Sequence, residues 1–251
     1  MTLRIGFDLD GVLADMESEL ARQSEILFGE PLTRRLDERA PEADAAATVT
    51  EATAPAARAP DAAPEFAPPV ARPDMTSRQQ RRLWRHVEST ENFWEGLEEL
   101  EPGVIQRLAS LAIDRRWEII FLTKRPETAG ATAQVQSQRW LESKGFTLPS
   151  VFVVQGSRGR IAAALGLDIV VDDRPENCLD VVIDSKARAI LVWRIDKNQL
   201  PSAVQRLGIG VVTSVADALE ILTQVDAATR GEPGVMSRVL RLLGLKEPAG
   251  M

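Results

Sequence analysis

The chain has 251 residues, 44% of them hydrophobic, with 30 Lys and Arg against 37 Asp and Glu for a net charge of −7. This composition fits a globular protein with a sizeable core, excludes a wholly disordered chain, and argues against coating nucleic acid or anionic membrane through bulk charge. A single cysteine, Cys178, and a single histidine, His86, rule out an internal disulfide, a cysteine–zinc cluster and a multi-histidine metal site.

In chain order, an apolar strand over 3–7 comes first, followed by Asp8 and Asp10 where a signal peptide would need its apolar core. No stretch reaches the roughly 18 apolar residues that span a bilayer. The chain therefore reads as cytoplasmic, which suits one free thiol. A helix is predicted over 20–28. Residues 37–75 then break the pattern, with 14 Ala, 7 Pro and a net charge of −5. Prolines strip backbone donors and alanines bury little area, so this segment reads as a flexible insertion. A helix over 77–88 follows, carrying Arg78, Arg81, Arg82 and Arg85. Its bland reading is a solvated basic face with Leu83, Trp84 and Val87 buried; its functional reading has arginines meeting phosphate, with Trp84 or Trp94 stacking.

Beyond it, β-branched apolar runs at 118–122, 151–154, 169–171, 190–193 and 210–212 read as strands. Helical patterns at 102–115, 128–145, 158–166 and 215–224 lie between most of them. Buried strands alternating with amphipathic helices predict an α/β fold: a Rossmann-like parallel sheet with helices on both faces. After a linker at 231–234, a short amphipathic helix over 235–245 offers Val235, Val239, Leu240, Leu242 and Leu243 to the core or to a second subunit.

Ligands of such sheets bind at the carboxyl ends of the strands. There the first strand runs into Asp8-Leu9-Asp10-Gly11, the second into Thr123-Lys124-Arg125 and the fourth into Asp172-Asp173-Arg174. Alternation lets Asp8 and Asp10 share one site, and Gly11 permits a tight turn. Closely spaced aspartates also open turns and cap helices, so D-x-D-G alone is weak. Four carboxylates converging on one edge would repel unless a cation held them, and oxygen-only ligands favour Mg²⁺.

Asp8-Leu9-Asp10-Gly11-Val12, the strand ending at Thr123 and the Asp172-Asp173 pair together resemble the haloacid dehalogenase-like hydrolase superfamily, over roughly residues 3–213 apart from the insertion. Within it, the opening GFDLDGVLAD and the later NFWEGLEELEPG look like the deoxyribonucleotidase-type branch of 5′-nucleotidases. The Thr123-Lys124-Arg125-Pro126 run followed by Arg139-Trp140-Leu141 looks more like polynucleotide 3′-phosphatase domains.

The resemblance implies a Mg²⁺-dependent phosphatase with Asp8 as nucleophile and Asp10 as acid and base. Metal would be held by Asp8, the Asp10 carbonyl and one of Asp172 and Asp173, with Asp173 the preferred ligand. Phosphate would meet Thr123, backbone donors near it, Lys124, and a cation before the last acidic pair. Arg158 fits that position best, with Arg160 as understudy and Lys124 as a substitute from the opposite side. The resemblance also implies a core formed by 1–14 and 102–225. A helical cap would occupy 15–101, around the insertion at 37–75, and 226–251 would be linker and tail helix.

The leading expectation is a phosphomonoesterase acting on a nucleoside monophosphate or another small phosphorylated metabolite. Alternatives are a polynucleotide end phosphatase, a phosphotransferase, and a non-catalytic Mg²⁺/phosphate-binding regulator. The acidic balance leaves no extended nucleic-acid surface or membrane partner expected, and oligomer formation stays open.

Overall fold

The computed structural model describes residues 2–29 and 75–230. The Ala/Pro-rich insertion, apart from Met75 at its end, and the tail helix predicted over 235–245 both lie outside the described residues. All six predicted strands form. They are β1 (Arg4–Asp8), β2 (Glu118–Thr123), β3 (Ser150–Val153), β4 (Ile169–Asp172), β5 (Arg188–Val192) and β6 (Gly210–Val212). They make one parallel sheet in the order β3-β2-β1-β4-β5-β6. β1, β4 and β5 are buried on both faces, as their unbroken apolar runs require.

The order reverses at β1, whose neighbours are β2 and β4. In a doubly wound sheet the crevice beyond the strand ends at that reversal is where ligands bind. The register fixes what stands there. Phe7 pairs with Val171, so Asp8 and Asp172 end adjacent strands at the same height, and Asp8 faces Leu122, one residue before Thr123.

The helices are α1 (Met16–Phe28), α2 (Ser77–Ser89), α3 (Val104–Arg115), α4 (Ala133–Ser143) and α5 (Arg158–Leu165), followed by α6 (Pro175–Asp184), α7 (Ser202–Arg206) and α8 (Val215–Thr229). Their starts follow local chemistry. Asp15 caps α1 through the Ser18 amide, Thr76 and Gln79 form a reciprocal capping box on α2, and Ser157 caps α5. α4 begins at Ala133 rather than 128, because the left-handed Gly130 precedes it and Thr132 is its cap. α8 continues unbroken past 225 to Thr229.

Four elements are absent from the sequence reading: α6, α7 and the 3-10 turns at Phe93–Gly96 and Lys197–Gln199. α6 opens with Pro175 directly after the acidic pair, in a stretch the eye assigns to the turn after the strand. α1 and α2 pack on each other, with Leu20, Leu83, Trp84 and Val87 buried, and Arg82 lies over the Phe28 ring at 5.5 Å. No described helix is long and apolar enough to cross a membrane.

Candidate active site

At the sheet reversal, β1 delivers Asp8 and the turn after it delivers Asp10. Gly11 holds φ +82°, and a Cβ there would stand 2.1 Å from Asp173 Oδ2, so only glycine lets the β1 turn approach the β4 turn. Arg194, just past β5, donates to the Gly11 and Val12 carbonyls at 2.6 and 3.3 Å and pairs with Glu101 at 2.7 Å. Glu101 in turn accepts from the Val215 and Ala216 amides at the start of α8. The turn after β1 is thereby tied to two elements far along the chain.

Carboxylate oxygens of Asp8, Asp172 and Asp173 lie within 4.8 Å of one another. Asp172 is fully buried and accepts from the Arg174 amide at 2.9 Å and from Asn177 Nδ2 at 3.0 Å on both oxygens. Asp173 Oδ1 is buried without a hydrogen-bond partner among the described residues. Burial raises the Asp8 carboxyl well above the ordinary carboxylate range; Arg158 opposes this while Asp172, Asp173 and Asp10 add to it. Burial also raises Asp172, and it raises Asp173 to about 7, with the Asp172 charge next in importance. Three acids that resist ionising together, one with an orphaned oxygen, form a donor set that fits a hard divalent cation such as Mg²⁺.

Arg158, the first residue of α5, pairs with Asp8 and lies 3.5 Å from Asp172 Oδ2. Its guanidinium is buried, and Nη1 has no partner among the described residues. It reaches this position because Gly159 lets α5 sit against α6: a Cβ on Gly159 would meet the Asp180 carbonyl oxygen at 2.0 Å. Arg160, by contrast, is exposed and does not line the cavity, so the structure does not bring it to the aspartates. Lys124 does line the cavity.

Asp10 stands apart from the three-acid cluster, and a residue that the sequence pattern does not single out holds it. Arg125 donates from Nη2 to Asp10 Oδ1 at 2.7 Å and from Nε to both oxygens at 3.0 Å. Its own side chain is fully buried, donates to Ser137 Oγ at 2.9 Å, and lies over the rings of Trp94 and Trp140 at 5.0 and 5.5 Å. Both indoles are pinned, Trp94 to the Pro126 carbonyl and Trp140 to the Leu97 carbonyl. Trp94 is thus buried in the core and supports a buried arginine, and it also lines the cavity that opens over the aspartates. Thr123 Oγ1 donates to Asp10 Oδ2 at 3.2 Å and accepts the Arg125 amide at the same distance. The available sequence signal for Arg125 was a cation two residues after Thr123, facing an acid that needed one.

A cavity of about 290 Å³ opens over Asp8, Asp10, Asp173, Arg158 and Lys124, with Trp193 and Met16 on its walls. Cys178 lies beneath the site, where burial and the nearby carboxylates push its thiol up and leave it inert.

No family model and no curated protein matches the chain. Among solved structures it is similar to a protein of Thermotoga maritima with a provisional assignment as a beta-phosphoglucomutase. The TM-score is 0.50 at 18% identity, covering 89% of this chain and 100% of that one. A HAD family hydrolase from Deinococcus radiodurans R1, with bound phosphate and sodium, aligns at TM-score 0.47 and 14% identity over 90% and 96% of the two chains. A haloacid dehalogenase-like family protein from Streptococcus pneumoniae aligns at 0.47 and 11% over 88% and 98%. At such identities the first of these likenesses speaks to the fold, and it agrees with the α/β architecture described above.

Proposed function

We propose that the chain is a Mg²⁺-dependent phosphomonoesterase acting through an aspartyl-phosphate on nucleoside monophosphates or another small phosphorylated metabolite. The observation that carries this reading is the division of labour among the acids. Asp8 sits with Asp172, Asp173 and Arg158, while Asp10 opens on the same cavity under separate control by Arg125.

Asp8 Oδ attacks phosphorus and the ester P–O bond breaks, leaving an acyl phosphate on Asp8. Asp10 passes a proton to the departing oxygen, then takes one from the water that cleaves the acyl phosphate to inorganic phosphate and free Asp8. Arg125 and Thr123 fix the Asp10 carboxyl from two sides, so little reorientation is needed between these transfers. Arg158, whose Nη1 has no partner among the described residues, would bind a phosphoryl oxygen beside the nucleophile, and Lys124 offers a second cation at the wall. Asp8, Asp173 and Asp172 would hold Mg²⁺, which when bound neutralises charge between anionic nucleophile and anionic phosphate. The cavity size suits a small leaving group rather than a polymer laid across the surface.

The deciding assay is phosphate release from nucleoside monophosphates, sugar phosphates and an aryl phosphate, with Mg²⁺, with chelator, and with Asp8→Asn. Release that needs Mg²⁺ and vanishes in the variant is the expected result. Folded, metal-loaded protein that releases no more than Asp8→Asn would overturn the reading. A sugar acceptor added to the same assay separates transfer from hydrolysis.

A further inference from the structure

By the amino ends of β1, β2 and β3, away from the aspartates, lies a second and larger cavity of about 670 Å³. Ile113, Trp117, Phe146, Leu148, Phe152 and Leu165 give it apolar walls. Ile113 is 77% exposed, Leu148 83% and Phe152 42%. Leu148 also holds φ +53°, a backbone conformation that favours glycine or asparagine, yet it presents a large apolar side chain to water. Clustered exposure of this kind marks a surface that something covers.

The described chain ends at this groove. Arg230 closes α8 and donates from Nη2 to the Arg115 carbonyl, while Arg115 pairs with Asp226 of α8. Arg115 stands two residues after Ile113 and two before Trp117, both of them groove walls. From Arg230 the sequence continues as Gly231-Glu232-Pro233-Gly234, a linker reaching at most about 14 Å. Residues 235–245 follow, in which Val235, Met236, Val239, Leu240, Leu242 and Leu243 fall on one helical stripe and Ser237, Arg238 and Arg241 on the other. As a helix this stretch would span about 16 Å. A short tether holds such a segment near the groove at high effective concentration, which favours the chain's own tail over a second copy.

We infer that residues 235–245 dock in cis, apolar stripe inward, on the groove walled by Ile113, Trp117, Leu148 and Phe152. This assignment is independent of the phosphatase reading. Hydrogen exchange on the full chain tests it. Amides of 235–245 should exchange at least tenfold more slowly than in a synthetic peptide of residues 231–251, equally at low and high protein concentration. Phe152→Glu and Leu148→Glu should return them to the peptide's rate while leaving phosphate release unchanged. Leu240→Glu, which lies outside the described residues, should speed exchange of the groove amides at 147–152 and serves if the groove variants fail to fold. Peptide-like exchange in the wild-type chain, or protection indifferent to all three variants, overturns the inference. Protection lost on dilution together with a dimer in sedimentation would assign the groove to a second copy instead.

Discussion

The two ends of the parallel sheet both carry charge, and they treat it in opposite ways. At the amino ends, Arg4 pairs with Glu118 with both side chains about half exposed, at 46% and 52%. At the carboxyl ends, Arg158 and Asp8 are 2% and 8% exposed, and Arg125 is fully buried against Asp10. Water screens the first pair and makes it nearly dispensable. Burial removes that screen from the others, so each charge depends on a particular partner, and losing one strands the other. Charge kept dry at such a desolvation cost, with atoms on Arg158 and Asp173 that have no partner among the described residues, distinguishes the end of the sheet that holds the candidate site.

The sharpest way to break this contrast is Asp8→Asn. Turnover should fall at least ~1,000-fold, since the variant lacks the proposed nucleophile. Its Tm should fall, because the buried Arg158 loses its partner and relief among the acids offsets that only in part; thermal unfolding beside the phosphate assay reads both. Gly159→Ala should come next, moving α5 away from the Asp180 carbonyl and Arg158 away from Asp8. A displacement of about 1 Å there should cost ~100-fold in kcat, while far-ultraviolet circular dichroism stays unchanged.

Arg125→Met should lower stability by about 3 kcal/mol in denaturant titration, as expected when one partner of a buried pair is removed. Because Asp10 rather than a phosphate-binding group loses its support, kcat should drop more than KM rises. The same contrast shows in pH. Asp173 is raised to about 7, above the ordinary aspartate value near 3.9 in an unfolded chain. Between those values the folded, metal-free protein keeps a proton that the unfolded chain has released. Its stability therefore falls as pH rises from about 4 to about 7, and levels off above. Melting scans in chelator should show that fall, and Mg²⁺ should offset it most at the upper end. Glu118→Gln at the other end of the sheet should cost less than ~1 kcal/mol and leave activity untouched.

Much of this molecule is legible in residue order. Apolar runs without alternation give six strands of a parallel sheet, and such a sheet has a defined ligand edge; Asp8, Asp10, Thr123, Asp172 and Asp173 follow directly as residues at strand ends. Arg158 is legible only through the resemblance, which asks for a cation before the last acidic pair, and Arg160 answers that request almost as well. Only the seating of α5 on α6 through Gly159 separates them, and a helix interface has no signature in composition. α6 escapes because its Pro175 start merges with the turn after β4.

Sequence alone determined what periodicity and strand-end chemistry can encode: the α/β class, the carboxylate edge and the acidic, oxygen-rich donor set. Tertiary structure alone decided which charges become partners. Arg125 reaches Asp10 across 115 positions and Arg158 reaches Asp8 across 150, each made possible by helices and indoles from still other segments. Those pairings depend on burial and packing distance, quantities that arise only when the chain has closed on itself.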